Sequence, residues 1–491
     1  MKEDKSSYRS IMKATSLFGG VEVFNILIQI IRSKVIAVLL GTAGMGVLGL
    51  LNAAISFISG LTGFGLKISA VKDIAAANAT QNNHRIAVIV SVIRRLVLIT
   101  GALGTLLVIF LSPWLSQLTF GNKDYTIAFV WVSLTILFMQ LTNGQLVILQ
   151  GMRKLQLLAK ANVIGNALGL IISLPLYYLY GIDGIVPAII ATSIIALLLS
   201  WHFSSKLKIK NIKISYYETF SEAKSILQLG FFISISGLLA LGASYIVRVF
   251  ISRVGGIEEV GLYSAGFAII NTYVGLIFTA MGTDYFPRLS EVAHDNKLAK
   301  LSINQQAEIS ILIIAPILIS FLVFINWFII ILYSSQFISI NGMIYWAALG
   351  MFFKVASWSI SFVFLAKGNG KLFFWNELFA NIYLLALNIC GYYFMGLMGL
   401  GISFLVGYFL YFIQIYIIAK KKYNFSYDLN FVKIFIIQIS LAIISFLAVK
   451  ITSHPYLIGS VFLLASSYYS FTELDKRLEL KILFKKFKNK F

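Results

Sequence analysis

The sequence predicts an all-α polytopic membrane protein of about 14 transmembrane helices, and three observations carry that expectation. The 491-residue chain is 59% hydrophobic and 12% charged, with a mean hydropathy of +0.88, which no soluble domain of this length would carry. Apolar stretches of about 20 residues recur throughout, each long enough to cross a hydrocarbon core about 30 Å thick. Lysine and arginine are sorted, with 33 of the 40 falling in alternate connections, as the positive-inside rule expects of cytoplasmic loops.

In chain order the expected spans are 11–39, 44–68, 86–112, 124–150, 155–180, 183–204, 225–250, 258–285, 306–333, 341–366, 372–395, 398–419, 431–451 and 455–472. The basic segments Lys2–Lys13, Lys67–Arg95, Arg153–Lys160, Lys206–Lys224, Arg288–Lys300, Lys367–Lys371, Lys420–Lys433 and Lys476–Lys490 mark one side. The opposite connections hold only Lys123, Arg253 and Lys450. An even number of spans places both termini in the cytoplasm. The first apolar run follows a polar stretch and has no small-residue cleavage signature, so it is expected to be a retained helix. The last span is short and rich in Ser and Tyr.

Several function classes are excluded or disfavoured. A formal charge of +21 would suggest nucleic acid in a soluble protein, but here the cations sit in short loops where lipid headgroups and topology account for them, and no nucleic-acid partner is expected. The single Cys390 rules out an intrachain disulfide, and His84, His202, His294 and His454 stand apart, so no metal site and no cofactor are expected. There is no Walker A motif. The outer loops are short and no paired carboxylates occur, which disfavours a membrane-embedded glycosyltransferase or polymerase. Catalytic residues are expected to be absent, and function must arise from helices facing one another.

The chain is written twice at an offset of 215 residues. Gly41 and Gly46 correspond to Gly256 and Gly261, Gly181 and Gly184 to Gly396 and Gly399, and Asn166 to Asn381. Six helices separate the copies, so the halves share one orientation, as in transporters built from parallel repeats about an axis along the membrane normal. The expected division is a six-helix lobe at 1–204, a cytoplasmic linker at 205–224, a second six-helix lobe at 225–420, an additional helix pair at 421–472 and a basic tail at 473–491.

The segments LLGTAGMGVLGL from Leu39, VGGIEEVGLYSAGFAI from Val254 and YFPRLSEVA from Tyr285 resemble the polysaccharide flippases of the multidrug/oligosaccharidyl-lipid/polysaccharide exporter superfamily. Within it the likeness is to Wzx-type O-antigen translocases and covers roughly residues 10–420. Phe232 departs from the pattern, standing where relatives often have proline. The resemblance implies two six-helix lobes around a central cavity that opens alternately to the two faces of the bacterial inner membrane. It also implies a lipid-linked oligosaccharide on undecaprenyl diphosphate as cargo, with membrane lipids, glycosyltransferases and a glycan polymerase as partners. Lipid II or a drug cation are the alternative cargoes.

Charges stranded in apolar spans are costly and mark candidate sites. Glu22, Asn25, Gln29 and Arg32 follow spacings of three, four and three and share one helical face, which must meet protein or a water-filled cavity. Arg32 offers planar, multidentate hydrogen bonding to phosphate oxygens. Lys34 lies about 200° round the helix, either as a second cation of the site or snorkelling to the interface. Arg248 falls one residue from the Arg32 equivalent, with pairing to Glu258 or Glu259 as its other reading, and Lys354 lies mid-span with no acid nearby in sequence. Glu22 is open to two readings: binding a coupling H+ or Na+, or pairing with a buried cation such as Arg32. Asp284 and Glu377 are expected as gate or topology charges. Asn162, Asn166, Asn381 and Asn388 suit sugar hydroxyls or interhelical packing.

The charge map makes a direct prediction. Single-cysteine labelling in spheroplasts should leave positions 206–213 and the tail beyond Lys476 protected from an impermeant reagent while Lys123→Cys is labelled; labelling of the 206–213 segment instead would invert the topology.

Overall fold

The computed structural model describes residues 21, 24–210, 212 and 214–478, and every regular element among them is helical. Residues 24–39 form α1. It is followed by α2 (Gly41–Gly63), α3 (Leu66–Ala79), α4 (Asn83–Phe120), α5 (Thr126–Gly151), α6 (Leu155–Tyr180), α7 (Ile185–Ser205) and α8 (Tyr216–Gly255). Next come α9 (Ile257–Phe267), a π-helical turn (Ala268–Val274), α10 (Gly275–Glu291), α11 (Asn296–Leu332) and α12 (Asn341–Ala366). The chain closes with α13 (Gly370–Tyr423), α14 (Leu429–Ile451) and α15 (Pro455–Leu478).

Among the described residues ten stretches are long and apolar enough to cross a membrane. Two of these, Leu155–Ser205 and Gly370–Tyr423, are 51 and 54 residues long and each is broken at a glycine, Gly181 and Gly396. The first expected span enters only in part, and α15 is helical but falls outside those ten. Several helices outrun the expected apolar limits. Helix α11 starts at Asn296, not 306, because Asp295 caps it by accepting from the backbone N–H of Lys297 and Leu298. Helix α8 starts at Tyr216 and runs unbroken through Phe232. Helix formation needs only satisfied backbone groups, so it continues past the hydrocarbon boundary that a hydropathy reading detects. The expected span 44–68 is interrupted where Phe64 (φ 45°) and Gly65 (φ 65°) turn left-handed between α2 and α3.

The chain divides into two compact units, Met1–Gly261 and Leu262–Phe491. In the first, α4 packs on α5, α6 on α7 and α8 on α2, α3 and α4. In the second, α12 packs along both arms of α13, and α11 bundles with α12, α14 and α15.

The internal repeat is visible in backbone geometry. Gly181 (φ 56°, ψ −131°) and Gly396 (φ 57°, ψ −143°) adopt one conformation, close to a region that is essentially glycine-only. Just beyond, a Cβ on Gly184 would strike the Leu176 carbonyl and a Cβ on Gly399 the Gly391 carbonyl, acceptors that are themselves 215 residues apart. A Cβ on Gly46 would strike the Ile257 carbonyl, and one on Gly261 the Thr42 carbonyl, again a reciprocal pair at 215. Arg153 (φ 54°) and Gly368 (φ 71°) add a further matched left-handed pair.

Glycine at 46 is therefore required by backbone-to-backbone approach. Gly46→Val should lower stability by about 1–3 kcal/mol in detergent thermal unfolding. Gly275→Ala, at a helical glycine with open space, should raise it by about 0.5–1 kcal/mol. Equal effects at the two positions would contradict the close-approach account.

Candidate functional site

The cations stranded in apolar helices divide between the units, Arg32 and Arg248 in the first and Lys354 in the second. Helix α1 is held to α6 by Asn166, whose Nδ2 donates to Asn25 Oδ1 at 2.8 Å. One turn along α6, Gly169 makes room for the Arg32 guanidinium, with Nη2 only 3.4 Å from where a Cβ at 169 would stand. The Arg32 Nε is buried with no hydrogen-bond partner, and among the described residues no carboxylate pairs with Arg32. Lys34 is half-buried and Gln29 exposed. Glu22 lies outside the described residues. The structure thus brings together Asn25, Asn166 and Arg32 of the expected set.

Arg248 turns back along its own helix, donating to the carbonyl and hydroxyl of Ser244. Its carrier, α8, is fastened to α4 at both ends. Near the start, Arg85 makes a two-pronged ion pair with Glu222 (2.5 and 2.8 Å). Arg95 donates to Thr219 Oγ1 (2.6 Å) and to the Ile214 carbonyl (3.1 Å). Near the end, Tyr245 and Thr119 share a hydrogen bond, and Arg253 donates to the Gln117 carbonyl at 3.0 Å.

Lys354 sits in a cage of neutral groups. Its Nζ donates to Asn271 Oδ1 at 2.9 Å and lies 5.1 Å from the Tyr408 ring centroid, 5.5 Å from Phe404 and 6.0 Å from Phe278. Ring faces attract a cation without cancelling its charge. Asn271 belongs to the π-helical turn Ala268–Val274, an insertion of the kind that re-aims a side chain at a functional position. Periodicity alone does not mark Asn271; its one signal is a polar residue inside the apolar stretch 258–285.

Asn381 bonds to the Glu377 carbonyl of its own helix at 2.8 Å. Glu377 itself, expected as a gate or topology charge, lies in a polar knot inside the α13 hairpin. Its Oε1 accepts from Tyr411 (2.5 Å) and Asn376 (3.3 Å), while Gln414 donates to Asn376 Oδ1 at 2.7 Å. Sequence reading missed this knot because its members come from two arms 34 to 38 residues apart.

A family profile described as Polysaccharide biosynthesis protein matches residues 35–342. A putative O-antigen transporter of Shigella flexneri is 24% identical over 286 residues, 57% of this chain and 66% of that protein, so the match spans just under two thirds of the relative's length. A lipid III flippase of Escherichia coli (strain K12) is 22% identical over 377 residues, 74% of this chain and 87% of that one. Among solved structures, the lipid II flippase MurJ in an inward closed conformation is similar with a TM-score of 0.71 at 16% identity, covering 94% of this chain and 99% of that one. An inward-facing multidrug resistance MATE family transporter of the MOP superfamily gives 0.67 at 14% identity, covering 84% and 98%. At these identities the structures speak to the fold.

The α8 fastening carries a pH prediction. The hydrogen bond from Arg85 is the largest influence on Glu222 and holds its carboxyl below the ordinary value. A depressed carboxylate contributes stability above its unfolded pKa and loses it as pH falls through the lowered folded pKa. Limited proteolysis at 206–222 should therefore stay slow at neutral pH and accelerate only below about pH 4.3, the ordinary glutamate value. Arg85→Ala should accelerate it already at pH 7, by no more than about fivefold, since a part-exposed pair contributes about 0.2–1 kcal/mol.

Proposed function

We propose, from the premise that this chain belongs to the polysaccharide biosynthesis protein family, that it is a flippase moving a lipid-linked oligosaccharide between the leaflets of the bacterial inner membrane by alternating access. The observation that carries the reading is the pairing state of Arg32 and Lys354. Both are cations inside apolar helices, and among the described residues neither has a carboxylate partner. A cation left uncompensated in lipid would be expensive, and a diphosphate entering beside it gives up hydration for charge-assisted hydrogen bonds. The cargo is an O-antigen or related surface-glycan unit on undecaprenyl diphosphate. The relatives named as an O-antigen transporter and a lipid III flippase support that choice over lipid II or a drug cation.

Arg32, Arg248, Lys354 and Lys34 supply the positive charge, and Asn25, Gln29, Asn166 and Asn381 the neutral polar contacts. Lobes 1–204 and 225–420 rock around the cargo while the pair at 421–472 remains outside the repeat. Glycosyltransferases build the cargo and a polymerase consumes it. Outward movement of negative charge is favoured by an inside-negative potential, about 2.3 kcal/mol per charge per 100 mV, so ion coupling through Glu22 assists without being obligatory.

The test is a reconstituted flipping assay with a synthetic diphosphate-linked oligosaccharide. Arg32→Gln and Lys354→Gln should each cut the rate about tenfold or more, the loss of one charge-assisted hydrogen bond, with membrane insertion unchanged. Full activity in both variants would overturn the site. In the same assay Glu22→Gln should flatten any pH or Na+ dependence; an unaltered dependence makes Glu22 a structural partner.

A further inference from the structure

A polar chamber lies in the second unit, outside the helices that carry the stranded cations. Its volume is about 830 Å3, and it is lined by the first turns of α11 and α14, the last turns of α15, and Arg288 of α10. These ends stand on the side of the membrane that carries the basic segments. Four cations, Arg288, Lys433, Lys476 and Arg477, line it against three acids, Glu308, Asp428 and Glu473.

All three acids are already engaged. Arg477 bridges Glu308 (2.8 Å) and Glu473 (2.6 Å), Lys476 also takes Glu473 (2.6 Å), and Asp428 pairs with Lys300 (3.3 Å). What remains is a set of donors. The Lys433 ammonium makes no hydrogen bond or ion pair with any described residue, and the side-chain amides of Gln305 and Asn430 and the Tyr469 hydroxyl make no hydrogen bond with one. A chamber whose carboxylates are each charge-paired, while a lysine and several neutral donors are open, is suited to an anion with several oxygens.

The surroundings point to the kind of anion. Leu301, which lines the chamber, is 50% exposed, and Leu429 and Tyr468, next in sequence to the lining residues Asn430 and Tyr469, are 87% and 73% exposed, so exposed apolar side chains adjoin the charged interior. We propose that this chamber binds the phosphate of an anionic membrane amphiphile, with the headgroup at Lys433 and the acyl chains along the flank of Leu429 and Tyr468. Such an occupant ties α14 and α15 to α11, the helix that anchors both to the unit. The inference stands apart from the flippase reading, since Lys433 and its neighbours on α14 and α15 lie outside the repeat and none of Arg32, Arg248 and Lys354 lines the chamber.

The experiment uses the full chain in neutral detergent and reads the thermal unfolding midpoint while mixed micelles of phosphatidylglycerol, mixed micelles of phosphatidylcholine, or inorganic phosphate are titrated in. Phosphatidylglycerol should give a saturable rise that phosphatidylcholine does not. Lys433→Ala should weaken the apparent affinity about fivefold, the share of one lysine at an anionic surface. Lys433→Arg should restore it, and Lys450→Ala, at the opposite end of α14, should leave it unchanged. A saturable, Lys433-dependent response to inorganic phosphate alone would keep the phosphate site but assign it a soluble ligand. Equal responses to the two lipids, or equal affinity in Lys433→Ala and the unaltered chain, would overturn the proposal.

Discussion

Lipid offers no hydrogen bonds, and that constraint governs this molecule. Each backbone segment at membrane depth must satisfy itself, which leaves helices as the spanning element for a chain built of span-length apolar runs. Two of the chain reversals are made where backbone packs directly on backbone. Gly181 and Gly396 reverse the chain in a conformation other residues avoid, and Gly184 and Gly399 let the returning helix touch the carbonyls of Leu176 and Gly391. The reciprocal contacts of Gly46 with Ile257 and Gly261 with Thr42 apply the same device. A Cβ at any of these four contact glycines would force the helices apart.

Side-chain polarity follows the same economy with a different result. Most buried polar groups are spent on structure: Gln140 on the Ser59 carbonyl, Gln438 on Ser466 and Ser470, Glu377 on Tyr411 and Asn376. Arg32 and Lys354 are treated otherwise. One is housed beside a glycine and the other among three rings and an asparagine, surroundings that tolerate a cation without neutralising it. Other cations of the chain meet carboxylates, as Arg85 meets Glu222 and Arg477 meets Glu308, or backbone carbonyls, as Arg253 meets that of Gln117. That contrast is what supports the proposal that Arg32 and Lys354 face an anionic ligand.

Helix α8 illustrates how connectivity and packing diverge. Under the 215-residue repeat it begins the second copy, yet Arg85, Arg95, Thr119 and Gln117 all hold it to α4, and it belongs to the first compact unit. Arg248 is thereby grouped with Arg32, leaving Lys354 as the stranded cation of the second unit. These polar fastenings stand beside an apolar cluster in which Ala223 of α8 packs with residues of α3 and α4.

Much was legible in the amino-acid order. Span-length apolar runs, the sorting of cations and the spacing of glycines depend only on local composition and on the bilayer, so they predicted an all-helical, duplicated membrane protein and singled out Arg32, Arg248, Lys354 and Lys34 as candidates. Family motifs near Leu39, Val254 and Tyr285 pointed to the same fold. Tertiary structure decided what no local pattern encodes. The pairing of Asn25 with Asn166 joins residues 141 apart, the π-helical turn delivers Asn271 to Lys354, 83 residues away, and Glu377 finds Tyr411 across a hairpin. Whether a polar side chain is spent on structure or left open for a ligand depends on which neighbours the packing brings within about 3 Å, and hydrogen-bond partners at that range are a property of the assembled helices, not of any one of them.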